Sequence, residues 1–344
     1  MTSIAVGDER MARTSTLNRL MKRPEIGALL AALVIFVFFS VTTDVFATLS
    51  GSATWLRSAS TIGIMAVGVA MLMIGGEFDL SAGAMTGFTG LAVGILTTEY
   101  GLNIWVAILV SLVLALVVGF LNGWLVMRTR LPSFIVTLGT FFVLQGIDLA
   151  GTKQLIGQVA IQGMRDVPFY SQPQKLFGSS MEIGHGTFYV SILWWVLVTA
   201  LATWVLMRTR VGNWVFAVGG AQHAARQVGV PVAKTKIGLF MGTAGCGWLV
   251  GMLLLFTTST VQSNTGVGQE FIYIICAVVG GCLMTGGYGS AIGAALGALI
   301  YGMANQGIVY AGWDNNWLKA FLGVMLLTAV LLNEWVRKRA EEAR

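Results

Sequence analysis

The sequence predicts an all-α, polytopic membrane protein of about ten transmembrane helices with cytoplasmic N- and C-termini, and three observations carry that prediction. Charged residues make up 10% of the 344-residue chain and hydrophobic ones 56%, against roughly a quarter charged in a soluble domain. Ten apolar runs recur, each near the ~20 residues a bilayer crossing needs. Lysine and arginine gather in alternate connections, as orientation signals do. The glycine content, 44 residues against five prolines, suits helices that pack closely through small side chains.

Met1 to Arg23 is polar and basic, with Arg10, Arg13, Arg19, Lys22 and Arg23. It is too long and too polar for the charged start of a cleaved signal, and no small-residue cleavage site follows the first apolar run. Residues 1–24 are therefore read as a cytoplasmic tail, 25–336 as one transmembrane domain and 337–344 as a second cytoplasmic tail. The spans are placed at 25–44, 57–76, 80–98, 103–127, 133–150, 186–207, 237–262, 271–286, 290–310 and 317–336. The run from Phe271 is short and ends in Gly280, Gly281, Gly286 and Gly287, so 271–287 is a short span, a half-helix or a re-entrant element.

With the N-terminus inside, sixteen basic residues fall on the inner side, leaving Arg57, Lys153, Arg165, Lys175 and Lys319 outside. That split is a strong positive-inside signal. Because the charge sits at the ends of apolar runs, with no basic stripe interleaved with aromatics, the net charge of +6 does not point to nucleic acid. Two connections are long enough to fold: 151–184 outside and 208–236 inside. The inner one reads as amphipathic helix broken by glycine, with Trp214, Val215 and Val218 on one side and Gln222, His223 and Arg226 on the other, a place for a cytoplasmic partner to grip. Trp124-x-x-Met127-Arg128-Thr129-Arg130 and Trp204-x-x-Met207-Arg208-Thr209-Arg210 are either an internal repeat or two helices leaving inward on the same aromatic and basic anchor.

Chemistry-bearing residues concentrate in three stretches. Between Gly75 and Gly83 lie Glu77, Asp79 and Ser81. Acids at membrane depth are costly and normally face a cavity or a partner, so these three are candidates for lining or gating a pathway; Ser81 is also placed to cap the next helix, or Asp79 sits at its positive end. Thr137, Thr140 and Gln145 decorate one side of a helix after Pro132 with neutral hydrogen-bonding groups. These suit a polyhydroxy solute, or bonds between helices. Gly289, Gly293 and Gly297 repeat every four residues and predict close helix packing. Asn305 joins the candidate pathway, ahead of a polar and aromatic outer turn at Trp313–Asn316. Cys246, Cys276 and Cys282 lie in apolar runs without metal-ligand spacing and read as small hydrophobes, so no metal is expected. No G-x-x-x-x-G-K-[ST] occurs, so energy for uphill transport must come from a partner or an ion gradient.

Four stretches resemble the permeases of ribose-, xylose- and galactose-type ABC importers, a group sharing its superfamily with branched-chain amino acid permeases. The likeness covers about residues 25 to 336. Gly75 to Gly83 resembles the family's GG-hydrophobic-DLS-x-G signature, with Glu77 as a departure. Asn122-Gly123 followed by Leu131 to Thr140 is similar to its NG…PxFIxTLGT stretch. Ala217 to Val230 is similar to AIGGN-x-x-AAR-x-SGI, with Ala221 in place of asparagine. Ala277 to Ser290 resembles AVVIGG-x-x-x-x-GG-x-GS.

The resemblance implies a non-enzymatic permease subunit of the bacterial inner membrane, forming half of a pathway for a monosaccharide or polyol. It implies a second permease copy or paralogue, an external solute-binding protein, and a tandem-domain cytoplasmic ATPase that carries ATP and Mg; this chain itself has no cofactor, and its other neighbour is membrane lipid. It further implies that Gly219 to Val230, with Gly219, Gly220, Ala224, Ala225, Arg226 and Gly229, form the helix that couples to the ATPase. A branched-chain amino acid permease and an ion-coupled secondary transporter remain the alternatives. A membrane anchor without transport fits the folded inner loop and the intramembrane acids less well.

Overall fold

The computed structural model describes residues 24–342, with side chains over 25–331; the basic N-terminal tail and the end of the C-terminal tail lie outside the described residues. Ten main helices cover the expected spans: α1 (Pro24–Thr42), α2 (Leu49–Ile74), α3 (Ala82–Thr98), α4 (Ile104–Thr129), α5 (Ser133–Ile156), α6 (Ser191–Arg208), α9 (Val232–Thr258), α10 (Gln269–Val279), α11 (Ala291–Tyr310) and α12 (Trp317–Glu342). The inner connection supplies α7 (Arg210–Gly220) and α8 (Gln222–Gln227). Seven of these helices are long and apolar enough to cross a membrane, and α3, α10 and the apolar part of α12 are shorter.

Several boundaries move for local reasons. α2 starts eight residues before the hydropathy rises, because Thr48 accepts a bond from the Gly51 amide and caps it. α5 does not stop at residue 150: it passes through a π-helical turn at Ile147–Gly151 and ends at Gly157 in the left-handed conformation. α6 begins at Ser191, because Gly186–Tyr189 is a strand (β3) paired with Ser180–Ile183 (β2) in a hairpin of the outer connection. A second small pairing joins Ala160–Ile161 (β1) to Val261–Gln262 (β4), tying that connection to the exit of α9. The two aromatic and basic anchors end α4 and α6, where Trp124 and Trp204 are exposed.

Packing follows the distribution of small residues. α2, α9 and α11 are mostly buried, whereas α1, α4, α5 and α6 show apolar side chains such as Val34, Leu109, Phe142 and Leu197 to the outside, as lipid-facing helices do. α2 packs most extensively on α11, and α9 on α4. At Gly302 of α11 an added Cβ would lie 2.6 Å from the Trp55 carbonyl of α2, and at Gly123 of α4 2.7 Å from the Ile237 Cα of α9. Between α10 and α11 the same measure gives 2.0 Å from Gly293 to the Gly280 carbonyl and 2.0 Å from Gly297 to the Cys276 carbonyl. Gly289 precedes α11, facing Cys282. The three cysteines are free, two of them buried.

The run from Phe271 is a half-helix. α10 has 11 residues, or about 16 Å at 1.5 Å each, half of a ~30 Å hydrocarbon core. The chain leaving α9 descends along α3 without helical structure: an added Cβ at Gly90, Gly87 and Gly83 meets in turn Val261, Thr265 and Gly266. α10 starts from the bottom of that descent and ends at Gly280, so the continuation expected to residue 286 is a turn.

Candidate functional site: an inner junction and a cavity midway through the membrane

At the inner end of α2 the chain turns through Gly76, whose φ of 81° is left-handed. The turn is pressed between two other glycine pairs. The Gly287 amide donates to the Ile74 carbonyl at 2.8 Å, and a Cβ on Gly219 would stand 1.8 Å from that same carbonyl and 2.6 Å from the Gly287 nitrogen. Three segments, ending α2, ending α7 and preceding α11, thus meet backbone to backbone, a contact that any side chain would separate. α7 reaches it by burying Val215 and Val218, as its amphipathic pattern requires.

Glu77 follows this turn and is buried. It accepts a charge-assisted bond from Lys236 of α9, whose Nζ also donates to Gln222 Oε1 of α8 at 2.7 Å. One ammonium therefore joins the α2–α3 turn, α8 and the first turns of α9. Around it, the C-terminal turn of α4, α8 and the start of α9 bound a cavity of about 540 Å³. Of the other residues assigned to coupling by resemblance, Ala225 is buried against Val218 and Val232, while Ala224, Arg226 and Gly229 are exposed.

Asp79 and Ser81 belong to a different group. Asp79 Oδ1 accepts from the Ser81 amide at 2.8 Å and from Ser81 Oγ at 2.5 Å. Ser81 Oγ accepts from Asn122 Nδ2, and Asn122 Oδ1 accepts from Thr140 Oγ1 at 2.6 Å. Ser133 Oγ and Thr137 Oγ1 accept from the Phe78 and Leu80 amides. These hydroxyls and carboxylate satisfy one another and the turn's backbone, joining α3, α4 and α5. Asp79, not Ser81, takes the capping role at α3, because Ser81 already has helical φ and ψ and makes no cap bond of its own. Burial pushes the Asp79 carboxyl up to about 6, against the opposing bonds from Ser81 and Ala82. Gln145 is partly buried, and its side chain makes no hydrogen bond among the described residues.

The remaining pathway candidate leads elsewhere. Asn305 of α11 donates to Ser58 Oγ of α2 at 3.1 Å, and Ser58 lines a second cavity of about 240 Å³ with Thr61, Thr86, Gln269, Tyr273 and Tyr301. Thr61 and Tyr301 sit at the middle of α2 and α11, and Gln269 is the first residue of the half-helix. The cavity therefore lies midway through the membrane, at the positive end of α10. Its polar lining is neutral: hydroxyls, an amide and two phenols. Gln269 Oε1 is buried without a partner, and the Tyr273 and Tyr301 hydroxyls make no hydrogen bond among the described residues. Glu270 next to it turns inward on its own helix end, accepting from the Gly268 amide at 3.0 Å. Ser58 and Thr61, like Gln269 and Tyr273, stand one helical turn apart, but nothing in the sequence links the two pairs to each other or to Tyr301; the only signal was the break in the run from Phe271.

Comparison with known proteins adds an independent line. Residues 51–330 match the family described as the branched-chain amino acid transport system permease component. The ribose import permease protein of Escherichia coli K12 is 30% identical over 89% of this chain and 92% of its own length. The fructose import permease protein of Rhizobium meliloti is 30% identical over 83% of this chain and 78% of its own. For the autoinducer 2 import system permease protein of Salmonella typhi the figures are 30%, 91% and 86%. No solved structure matches.

Proposed function

The chain belongs to the permease-component family of the branched-chain amino acid transport systems, a multi-pass protein of the bacterial inner membrane, and from that premise we propose that it forms half of the pathway of an ATP-driven importer for a monosaccharide or related polyol. Its relatives named for ribose and fructose support the solute class. The observation that carries the reading is the neutral cavity at the start of α10. Discontinuous helices place their free N-termini near the membrane midplane, where transporters bind solute. A polyhydroxy solute needs donors and acceptors without fixed charge, and the hydroxyls, phenols and orphaned amide oxygen supply them. A branched-chain amino acid would need groups for its carboxylate and ammonium. The half-helix end could serve the first, but no carboxylate lines the cavity among the described residues to serve the second.

In this account the α7–α8 segment receives the stroke of a partner ATPase. Its push reaches the membrane through the glycine junction at Ile74, Gly219 and Gly287 and through Lys236. Alternating access follows from moving α2 and the turn before α11 together. The second permease copy and the binding protein complete the assembly.

The test is uptake of labelled D-ribose and D-fructose into proteoliposomes holding the chain with its ATPase and binding protein. The reading expects uptake that requires internal ATP and survives a proton ionophore. Uptake by the chain alone, abolished by the ionophore and indifferent to ATP, would make it a secondary transporter.

A further inference from the structure

We propose that the inner-face cavity between α4, α8 and the start of α9 binds the phosphate of an anionic phospholipid headgroup. The cavity, about 540 Å³, is lined by the basic residues Arg130, His223, Arg226 and Lys236 and by the apolar Val126, Met127 and Leu131. The one carboxylate among its described lining residues, Glu77, is already joined to Lys236. Arg130 and Arg226 have no carboxylate and no other hydrogen-bond partner among the described residues, so the two guanidiniums leave uncompensated positive charge facing one space.

Arg130 occupies its place against backbone preference. It ends α4 with a φ of 59°, the left-handed position that glycine normally fills at a helix end. Two guanidinium forks are the groups best suited to grip a phosphate through paired N–H donors, and His223 adds a further donor.

The wall of Val126, Met127 and Leu131 distinguishes a lipid from a free anion. Leu131 is half exposed, and it continues onto the exposed apolar faces of α4 and α5 at Leu121, Trp124 and Phe134. A lipid held by its headgroup would thus find both charge and hydrocarbon at the site. The cavity lies on the side that the positive-inside signal assigns to the cytoplasm, where basic pockets between helix ends meet anionic lipid. The proposal does not depend on which solute is carried.

The experiment is native mass spectrometry of the full chain, delipidated in mild detergent and then offered phosphatidylglycerol, phosphatidylethanolamine or inorganic phosphate. Phosphatidylglycerol should be retained in preference to phosphatidylethanolamine, with the retained fraction falling about tenfold for each of Arg130→Gln and Arg226→Gln. Arg128→Gln and Arg208→Gln, exposed inner-side arginines outside the cavity, should leave retention unchanged. Arg130→Lys and Arg226→Lys keep the charge and should retain an intermediate fraction, which separates lost charge from lost folding. Retention indifferent to both cavity arginines would overturn the proposal. So would displacement of the lipid by an equal concentration of inorganic phosphate, which would make this a free-anion site. If the glutamine variants weakened ATPase binding while lipid retention stayed intact, the cavity would belong to an acidic protein loop instead.

Discussion

Replacing Lys236 by methionine should destabilise the folded chain by about 3 kcal/mol, at the lower end of the 3–5 kcal/mol that follows when one partner of a buried ion pair is removed. The structure sets the direction and the discount. Side-chain exposure is 6% for Lys236 and 11% for Glu77, so Glu77 would be left as a buried carboxylate without the one cation that bonds it among the described residues. The cavity beside the pair admits water, which relaxes the penalty below the fully enclosed case, and loss of the Gln222 bond adds about 1 kcal/mol back. Removing both charges is a different matter. Glu77→Met with Lys236→Met leaves no uncompensated ion, and such replacements are often neutral. The cycle of single and double variants, measured by SDS-induced unfolding in mixed micelles, should therefore show a coupling energy of about 2 kcal/mol or more. A coupling below about 0.5 kcal/mol, the range of an exposed pair, would refute the view that this contact clamps α8 and α9 to the α2–α3 turn.

Gly219→Ala would place a methyl group 1.8 Å from the Ile74 carbonyl, so the assembled importer should lose solute-stimulated ATP hydrolysis and about 1–3 kcal/mol of stability. Gly238→Ala, where an added Cβ meets nothing within 4 Å, should be neutral or mildly stabilising. Asp79 gives a pH signature. Its carboxyl ionises at about 6 in the folded chain against 3.8 ordinarily, so between those values the folded state holds a proton that the unfolded state has lost. Stability should fall as pH rises through that window and level off above about 6, and Asp79→Asn should flatten the slope in a pH series of thermal melts. Replacing Arg226 and Gly229 together should uncouple ATP hydrolysis from transport while the purified chain stays folded. Unchanged coupled transport would remove α8 from the coupling role.

The helices were legible because the bilayer imposes length and apolarity on each run separately, and hydropathy reads both. Local chemistry at the ends was harder. The hydroxyl that starts α2 at Thr48 lies outside the apolar run, and the π-turn that carries α5 to Ile156 leaves no compositional mark. Within the Gly75–Gly83 stretch, the sequence marked Glu77, Asp79 and Ser81 as a set, yet they divide between two networks. Glu77 finds a lysine 159 positions away, while Asp79 and Ser81 join Asn122 and Thr140. No spacing rule predicts partners brought together by helix packing. The cavity at the membrane midplane was the least visible feature. Its polar groups come in ones and twos from α2, α3, α10 and α11, each one ordinary within its own apolar run, and only the glycine-rich interruption after Val279 hinted that the helix there was incomplete. Asn305 alone among the sequence-chosen pathway residues leads to it, through Ser58.

The most direct test of the account is ATP-driven uptake by the reconstituted importer carrying Gln269→Leu or Tyr301→Phe, compared with Thr140→Val in the closed inner network. The cavity variants remove side-chain groups that make no hydrogen bond among the described residues, so they should leave the melting temperature nearly unchanged. They should cut sugar uptake by about tenfold, one bond's worth of solute contact, with ATP hydrolysis still stimulated by the binding protein. Thr140→Val should lower the melting temperature and affect uptake only in proportion to folded protein. Full uptake by the cavity variants, with transport lost on changing Thr140 in a protein that melts normally, would move the pathway to the inner network and contradict the account.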